Sequence, residues 1–281
     1  MATDTLRLSI LQMQVGLDKN QNLDRAALMV EEAASHGAQM VVLPEIFNSP
    51  YIARCFPEYA ESYPGKSTNQ LSELARRHSL ILVGGSIPER DSDGALYNTS
   101  FIFGPDGTLI GRHRKIHLFD VDIPGKMTFQ ESVTLSPGNE LQIIAQGDLR
   151  FAVMICYDVR FPELARQAAL QGVHLLVIPA AFSRTTGSLH WDILMRGRAV
   201  DNQVFVAAAA PAFNPQASYQ TWGHSMIVDP WGKILAQAAD EEELLIVDLD
   251  LSVIDEVRSQ IPVLKQRRTD LYELVSNLGS K

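Results

Sequence analysis

Three short segments place reactive side chains at the ends of expected strands, and each admits a chemical and an inert reading. The first is Val41-Val42-Leu43-Pro44-Glu45. A carboxylate at the end of a buried strand is only partly hydrated, so its pKa rises and it can act as a general base. The inert alternative is a helix N-cap or a solvated loop acid. The second is Arg112-His113-Arg114-Lys115-Ile116-His117. Strand alternation puts Arg112, Arg114 and Ile116 on one face and His113, Lys115 and His117 on the other. An inward Lys115 supplies positive charge where an oxyanion develops. An outward one forms a solvated basic edge that discourages strand pairing. His113 and His117 are poor metal-ligand candidates, because no carboxylate or third histidine stands at ligand spacing. The third segment runs Ala152-Val153-Met154-Ile155-Cys156-Tyr157-Asp158-Val159-Arg160-Phe161-Pro162-Glu163. A strand delivering Cys156 into a sharp turn before a helix aims backbone N–H groups, notably that of Tyr157, at the sulfur and at a bound carbonyl oxygen. Such donors lower a thiol pKa and form an oxyanion hole. Taken alone, the segment suits a buried structural thiol equally well.

Chemistry at strand ends requires strands, and the chain supplies them. Short apolar runs alternate with helical periodicity, the pattern of an α/β protein. Strands are expected at Leu6 to Val15, Met40 to Leu43, Leu80 to Ile87, Leu96 to Phe103 and Leu109 to Ile116. Further ones are expected at Phe151 to Ile155, His174 to Pro179, Val204 to Ala210, Met226 to Val228 and Leu244 to Leu249. Met40 to Leu43 is apolar on both faces, as in a sheet covered from both sides. Leu23, Ala26, Ala27, Val30 and Ala34 mark a first helix, with Asn20 or Asn22 as its N-cap and Gly37 as its stop. Other helices are expected at Ser67 to His78, Pro162 to Leu170, Leu189 to Val200 and Leu251 to Ser259. Gly104-Pro105-Asp106-Gly107 and Asp229-Pro230-Trp231-Gly232 read as turns. No linker or short repeat divides the chain, so one domain over residues 1–281 is expected, with two sheets covered by helices. The charged tail from Gln260, carrying Pro262, Arg267, Arg268 and Tyr272, is expected to pack on another subunit.

Composition narrows the partners. The chain has 281 residues, 46% hydrophobic and 20% charged, which suits a globular α/β unit. Its formal charge of −9, with no basic block beyond residues 112–115, disfavours nucleic acid and acidic membranes and favours a small-molecule partner. No apolar stretch reaches the roughly 18 residues of a membrane span, and the first residues lack a leader pattern, so a cytoplasmic location is expected. The two cysteines, Cys55 and Cys156, exclude a disulfide framework and a multi-thiolate zinc site. Cys55, just past the Glu45 strand end, reads as a packed thiol with no catalytic role, within reach of the pocket mouth.

In combination the motifs say more. Leu43-Pro44-Glu45, Arg114-Lys115-Ile116-His117 and the segment from Ile155 to Glu163, each at an expected strand end, resemble the nitrilase (carbon–nitrogen hydrolase) superfamily. The resemblance spans nearly the whole chain, including Gly223 to Pro230. It implies a four-layer αββα sandwich that dimerises through helices, with Arg166 to Gln171 and the tail as contributors to a homodimer or larger homo-oligomer. It implies Glu45 as the base, Cys156 as the nucleophile that carries a thioester, and Lys115 as the oxyanion partner. Glu131, in Phe129-Gln130-Glu131-Ser132, matches the auxiliary acid that orients Lys115 and the substrate amide. No metal or cofactor is implied.

Finer segments resemble the omega-amidase branch: His117 to Lys126, Thr128 to Ser132, Thr185-Thr186-Gly187, His190-Trp191, Arg198 to Gln203 and Trp222-Gly223-His224. That branch hydrolyses the terminal amide of 2-oxoglutaramate and 2-oxosuccinamate. Such a carboxylated substrate needs a cation, and Arg160 is the candidate. Its inert role would be to pair with Asp158 or Glu163. The resemblance also suggests Phe182 and Thr186 as substrate-shaping residues, beside Tyr157. The chain departs from the branch at Ser183-Arg184, where members carry asparagine and an apolar residue, which leaves substrate length open. Arg184 either adds a carboxylate contact or points to solvent. Rival readings are a deaminated-glutathione amidase, a nitrilase acting on C≡N, and a catalytically silent binding protein, against which intact Glu45, Lys115 and Cys156 argue.

Overall fold

The structure, a computed structural model, describes residues 5–275. The first half supplies β1 (Thr5–Gln12), α1 (Lys19–Ser35), β2 (Met40–Val42), α2 (Phe56–Tyr59), α3 (Lys66–His78), β3 (Ile81–Val83) and β4 (Ile87–Arg90). Then come β5 (Leu96–Phe103), β6 (Leu109–Arg114), β7 (Asp120–Ile123), β8 (Met127–Gln130), β9 (Ile143–Gln146) and β10 (Leu149–Val153). The second half continues with α4 (Pro162–Leu170), β11 (Leu175–Pro179), α5 (Arg184–Asn202), β12 (Phe205–Ala209), β13 (Met226–Val228), β14 (Ile234–Gln237), β15 (Glu243–Asp250) and α6 (Ser252–Gln260).

One sheet runs β15-β1-β2-β3-β5-β4, with β6 paired to β5; the other runs β14-β13-β12-β11-β10-β9. The central strands β1, β2 and β3 are mutually parallel, as are β10, β11 and β12. Side-chain alternation sorts the first sheet's residues between two cores. Leu8, Ile10, Met40, Val42, Ile81 and Val83 share a buried cluster with the second sheet. Leu11, Val41, Leu43, Leu80 and Leu82 face the opposite way, onto α1 and α3. The outer face of the second sheet is covered by Leu164, Ala165 and Ala168 of α4 and Trp191, Met195 and Ala199 of α5. Four layers, αββα, result. A period of two with both faces apolar leaves the first sheet no other arrangement that buries both sets.

Several boundaries differ from expectation. The run from Leu80 to Ile87 is two strands, broken at Gly84 and Gly85. Gly85 has φ +53, and a Cβ there would stand 2.0 Å from the Pro44 carbonyl oxygen. The first helix is capped by Asp18, whose Oδ1 accepts from the Asn20 and Gln21 N–H groups at 2.7 and 3.2 Å. The Asn22 side chain instead bridges the Gly16 backbone. α5 starts at Arg184 rather than Leu189, and the β7–β8 hairpin and β9 were not anticipated. Arg267, Tyr272, Glu273 and Leu274 of the tail line a groove with Glu163, Arg166 and Asp201 of the same chain. The last six residues of the tail lie outside the described residues.

Candidate active site

β2 ends at Val42, and Glu45 follows in a turn held from both sides. Ser86 Oγ accepts from the Ile46 N–H at 2.9 Å, and the Ser86 carbonyl accepts from the Phe47 N–H at 3.2 Å. Ile46 takes φ +50, left-handed for a β-branched residue. β6 ends at Arg114, and Lys115 still donates its backbone N–H to the Asn98 carbonyl at 2.8 Å. The expected alternation holds. Arg112 and Arg114 pair with Glu89 on one face, while His113 and Lys115 are buried on the other. The solvated basic edge is therefore not what forms. β10 leads through Met154 and Ile155 to Cys156, which has φ +47. A non-glycine residue there costs of order 1–3 kcal/mol, and such strain persists only where neighbours over-determine it.

The side chains converge. Lys115 Nζ donates to Glu45 Oε1 at 2.9 Å and to Glu131 at 2.9 Å, with all three side chains fully buried. Glu131 is oriented by the Phe119 N–H on Oε2 at 2.7 Å and the Tyr51 hydroxyl on Oε1 at 2.8 Å. Asn98 Nδ2 donates to Glu45 Oε1 at 2.9 Å. The other Glu45 oxygen, Oε2, has no hydrogen-bond partner among the described residues. It is the free acceptor beside the Cys156 thiol.

Burial raises the Glu45 carboxyl; Lys115 opposes the shift and Glu131 adds to it. Burial alone would depress the Lys115 ammonium, but Glu131 and Glu45 hold it well above the usual range, so it stays charged. Burial, then the Glu45 charge, pushes the Cys156 thiol well up, against Lys115 and the Ala181 backbone N–H that donates to the sulfur. The expected lowering of the thiol by backbone donors is thus outweighed. The resting sulfur is a thiol, and its proton must pass to Glu45 before attack.

Tyr157, Arg160, Phe182 and Thr186 line one cleft with Cys156, walled by Phe119, Ala181 and Tyr219. Arg160 lies over the Phe182 ring at 4.9 Å and donates to His190 Nδ1 at 3.2 Å. Neither Asp158 nor Glu163 is its partner among the described residues, because Asp158 is held by His113, His117 and the Ile155 N–H. Arg184 pairs with Asp240 at 3.1 Å and lies over Phe213 and Trp222, so it neither enters this cleft nor points freely to solvent. Free space in the cleft is only about 10 Å³, close to one water. A larger cavity of about 420 Å³ is lined by Glu45, Tyr51 and Tyr219, but its described lining carries no Lys, Arg or His to meet a carboxylate. Cys55 is half-buried and lines neither space.

Sequence reasoning missed Tyr51, Asn98 and Tyr219. Asn98 alone left a signal, as a buried amide within an apolar strand. Among the described residues, no group of three or more His, Cys, Asp or Glu side chains is placed to hold a metal ion, and no helix is long and apolar enough to cross a membrane.

Known proteins resemble this chain in sequence and fold. The carbon-nitrogen hydrolase family profile matches residues 7–259. The chain is 54% identical to omega-amidase NIT2 of Bos taurus, covering 96% of this chain and 98% of that one. It is 55% identical to omega-amidase NIT2 of Mus musculus, covering 97% and 98%. Among solved structures, Nit3 of Saccharomyces cerevisiae, a member of branch 10 of the nitrilase superfamily, superposes with a TM-score of 0.87. It shares 45% identity over 94% of this chain and 97% of its own.

Proposed function

This chain belongs to the carbon–nitrogen hydrolase family, and from that premise we propose that it is an omega-amidase. It hydrolyses the terminal amide of 2-oxoglutaramate or 2-oxosuccinamate to the 2-oxo dicarboxylate and ammonia. The observation that carries the reading is the single Lys115 ammonium shared by Glu45 and Glu131 at 2.9 Å, beside a thiol in a cleft whose described lining has one cation, Arg160.

The steps follow from the geometry. Glu45 takes the Cys156 proton on its free oxygen, and the thiolate attacks the amide carbon. Lys115 and the Tyr157 N–H stabilise the oxyanion. Protonated Glu45 then gives its proton to the departing amine, which leaves as ammonia, and the acyl group remains as a thioester on Cys156. Glu45 next deprotonates a water that attacks the thioester, and the dicarboxylate leaves as the thiol is restored. One carboxylate serves as base and acid in turn, which its raised pKa favours. Glu131 keeps Lys115 charged and aimed. Arg160 meets the substrate carboxylate as a planar fork, with Phe182 and Thr186 shaping the chain between.

The same proposal takes residues 1–281 as one hydrolase domain, acting in a reducing cytoplasm, where two free thiols persist. It also takes the chain as a homodimer. The test is ammonia release from 2-oxoglutaramate, deaminated glutathione, glutamine and a simple nitrile, with wild type and Cys156→Ala side by side. Turnover of 2-oxoglutaramate that disappears in the variant is expected. Turnover of deaminated glutathione alone would overturn the omega-amidase assignment, and turnover retained by Cys156→Ala would overturn the nucleophile.

A further inference from the structure

Asp158 is fully buried two residues after Cys156, and nothing in the reaction steps uses it. Its oxygens are each taken twice. Oδ1 accepts from the His117 N–H at 2.9 Å and from His117 Nδ1 at 2.8 Å. Oδ2 accepts from the Ile155 N–H at 3.0 Å and from His113 Nε2 at 3.3 Å. Ile155 directly precedes the left-handed Cys156, and His113 and His117 flank Lys115 on the other sheet. A single carboxylate therefore ties the start of the thiol-bearing turn to both sides of the lysine. The far end of the turn is tied to the same loop, because the His117 ring stacks on Phe161 at 3.6 Å with 10° between planes. From α5, Arg198 Nε donates to the Val159 carbonyl at 2.8 Å, holding the middle.

We propose that Asp158, bonded by His113 and His117, is a positioning unit that keeps Cys156 in its strained conformation and in register with Lys115. The unit touches no reacting atom. It acts by fixing the distance between two groups carried on different sheets, where a displacement of about 1 Å costs on the order of 100-fold in rate. This inference rests on the assignment of Cys156 and Lys115 above.

The experiment compares Asp158→Asn, His117→Ala, His117→Asn, His113→Leu and His113→Gln in the full chain. Asparagine at 117 and glutamine at 113 each keep a donor near the lost ring nitrogen, but not the ring. We expect kcat for 2-oxoglutaramate to fall on the order of 100-fold in Asp158→Asn, and roughly 10-fold in His117→Ala and His113→Leu, with KM little changed. His117→Asn and His113→Gln are expected to restore most of kcat. Iodoacetamide labelling of Cys156, resolved from Cys55 by peptide mass, is expected to slow in parallel. Full kcat in His117→Ala, a loss that His117→Asn does not repair, or a change confined to KM would each overturn the proposal. If Asp158→Asn fails to fold, the histidine pairs decide. Activity in Cys156→Ala would instead remove the premise, and that result is read separately.

Discussion

The Tyr51 hydroxyl has one hydrogen and three charged neighbours. It stands 2.8 Å from Glu131 Oε1, 3.3 Å from Glu45 Oε1 and 3.4 Å from Lys115 Nζ. The shortest contact takes the hydrogen, so the hydroxyl donates to Glu131 and its oxygen faces the ammonium. A hydrogen bond to a charged group is worth roughly 1.5–3 kcal/mol, and about 1.4 kcal/mol is tenfold in rate. Tyr51→Phe is therefore expected to lower kcat roughly 10- to 100-fold while KM for 2-oxoglutaramate holds, by steady-state kinetics. An unchanged kcat would make the hydroxyl a spectator. Glu45, Lys115 and Cys156 were legible in the sequence because each falls at the end of an expected strand. Tyr51 and Tyr219 were not, because they reach the site from loops that carry no period. Asp158 was visible only as one of two carboxylates that an inert Arg160 would take, whereas the turn faces it inward onto His113 and His117.

The break between β3 and β4 matters more to the site than either strand. Gly85, at φ +53, lets the Pro44 carbonyl approach where a Cβ would clash, and the next residue, Ser86, bonds the backbone on either side of Glu45 through the Pro44 carbonyl and the Ile46 N–H. Alanine there meets both a left-handed backbone, about 1–2 kcal/mol, and overpacking, about 1–3 kcal/mol. Gly85→Ala should cost roughly 2–5 kcal/mol in urea unfolding and displace the Glu45 turn. Gly125→Ala is the control. Its glycine lies at φ +70 in the β7–β8 hairpin with nothing within 4 Å, so only the backbone cost of about 1–2 kcal/mol applies. Equal losses in the two variants would remove the close approach as the cause. The sequence reading ran one strand through this break because Leu80 to Val83 and Ile87 are all apolar. Two glycines inside the run were the signal of a close backbone approach.

At the scale of the molecule, the layers follow from alternation within each strand, but their stacking order was legible only through the family resemblance, because no local pattern says which sheet a strand joins. The proposed homodimer belongs to the same scale. α5 buries Trp191, Met195 and Ala199 on the second sheet, and its outer side exposes Leu189 at 70%, Ile193 at 67% and Val200 at 48%. These positions recur at helical spacing, one stripe on one face. Gly197 beside them has open space above it, and Leu170 of α4 is exposed nearby in sequence to Gln171. Asp192 and Arg196 pair at 3.5 Å along one flank of the stripe. Two copies of α5 crossing antiparallel about a twofold axis would bury the stripe against itself and set each Asp192 opposite the partner's Arg196, as an isologous contact requires. Ile193→Glu places a carboxylate at the centre of that contact without touching the core. Sedimentation should move from twice 31.1 kDa to 31.1 kDa, and a dimer that survives the substitution would exclude α5 as the interface. The first turns of α5 also carry Thr186 and His190, the partner of Arg160. Loss of the dimer is therefore expected to raise KM for the carboxylated substrate more than it lowers kcat.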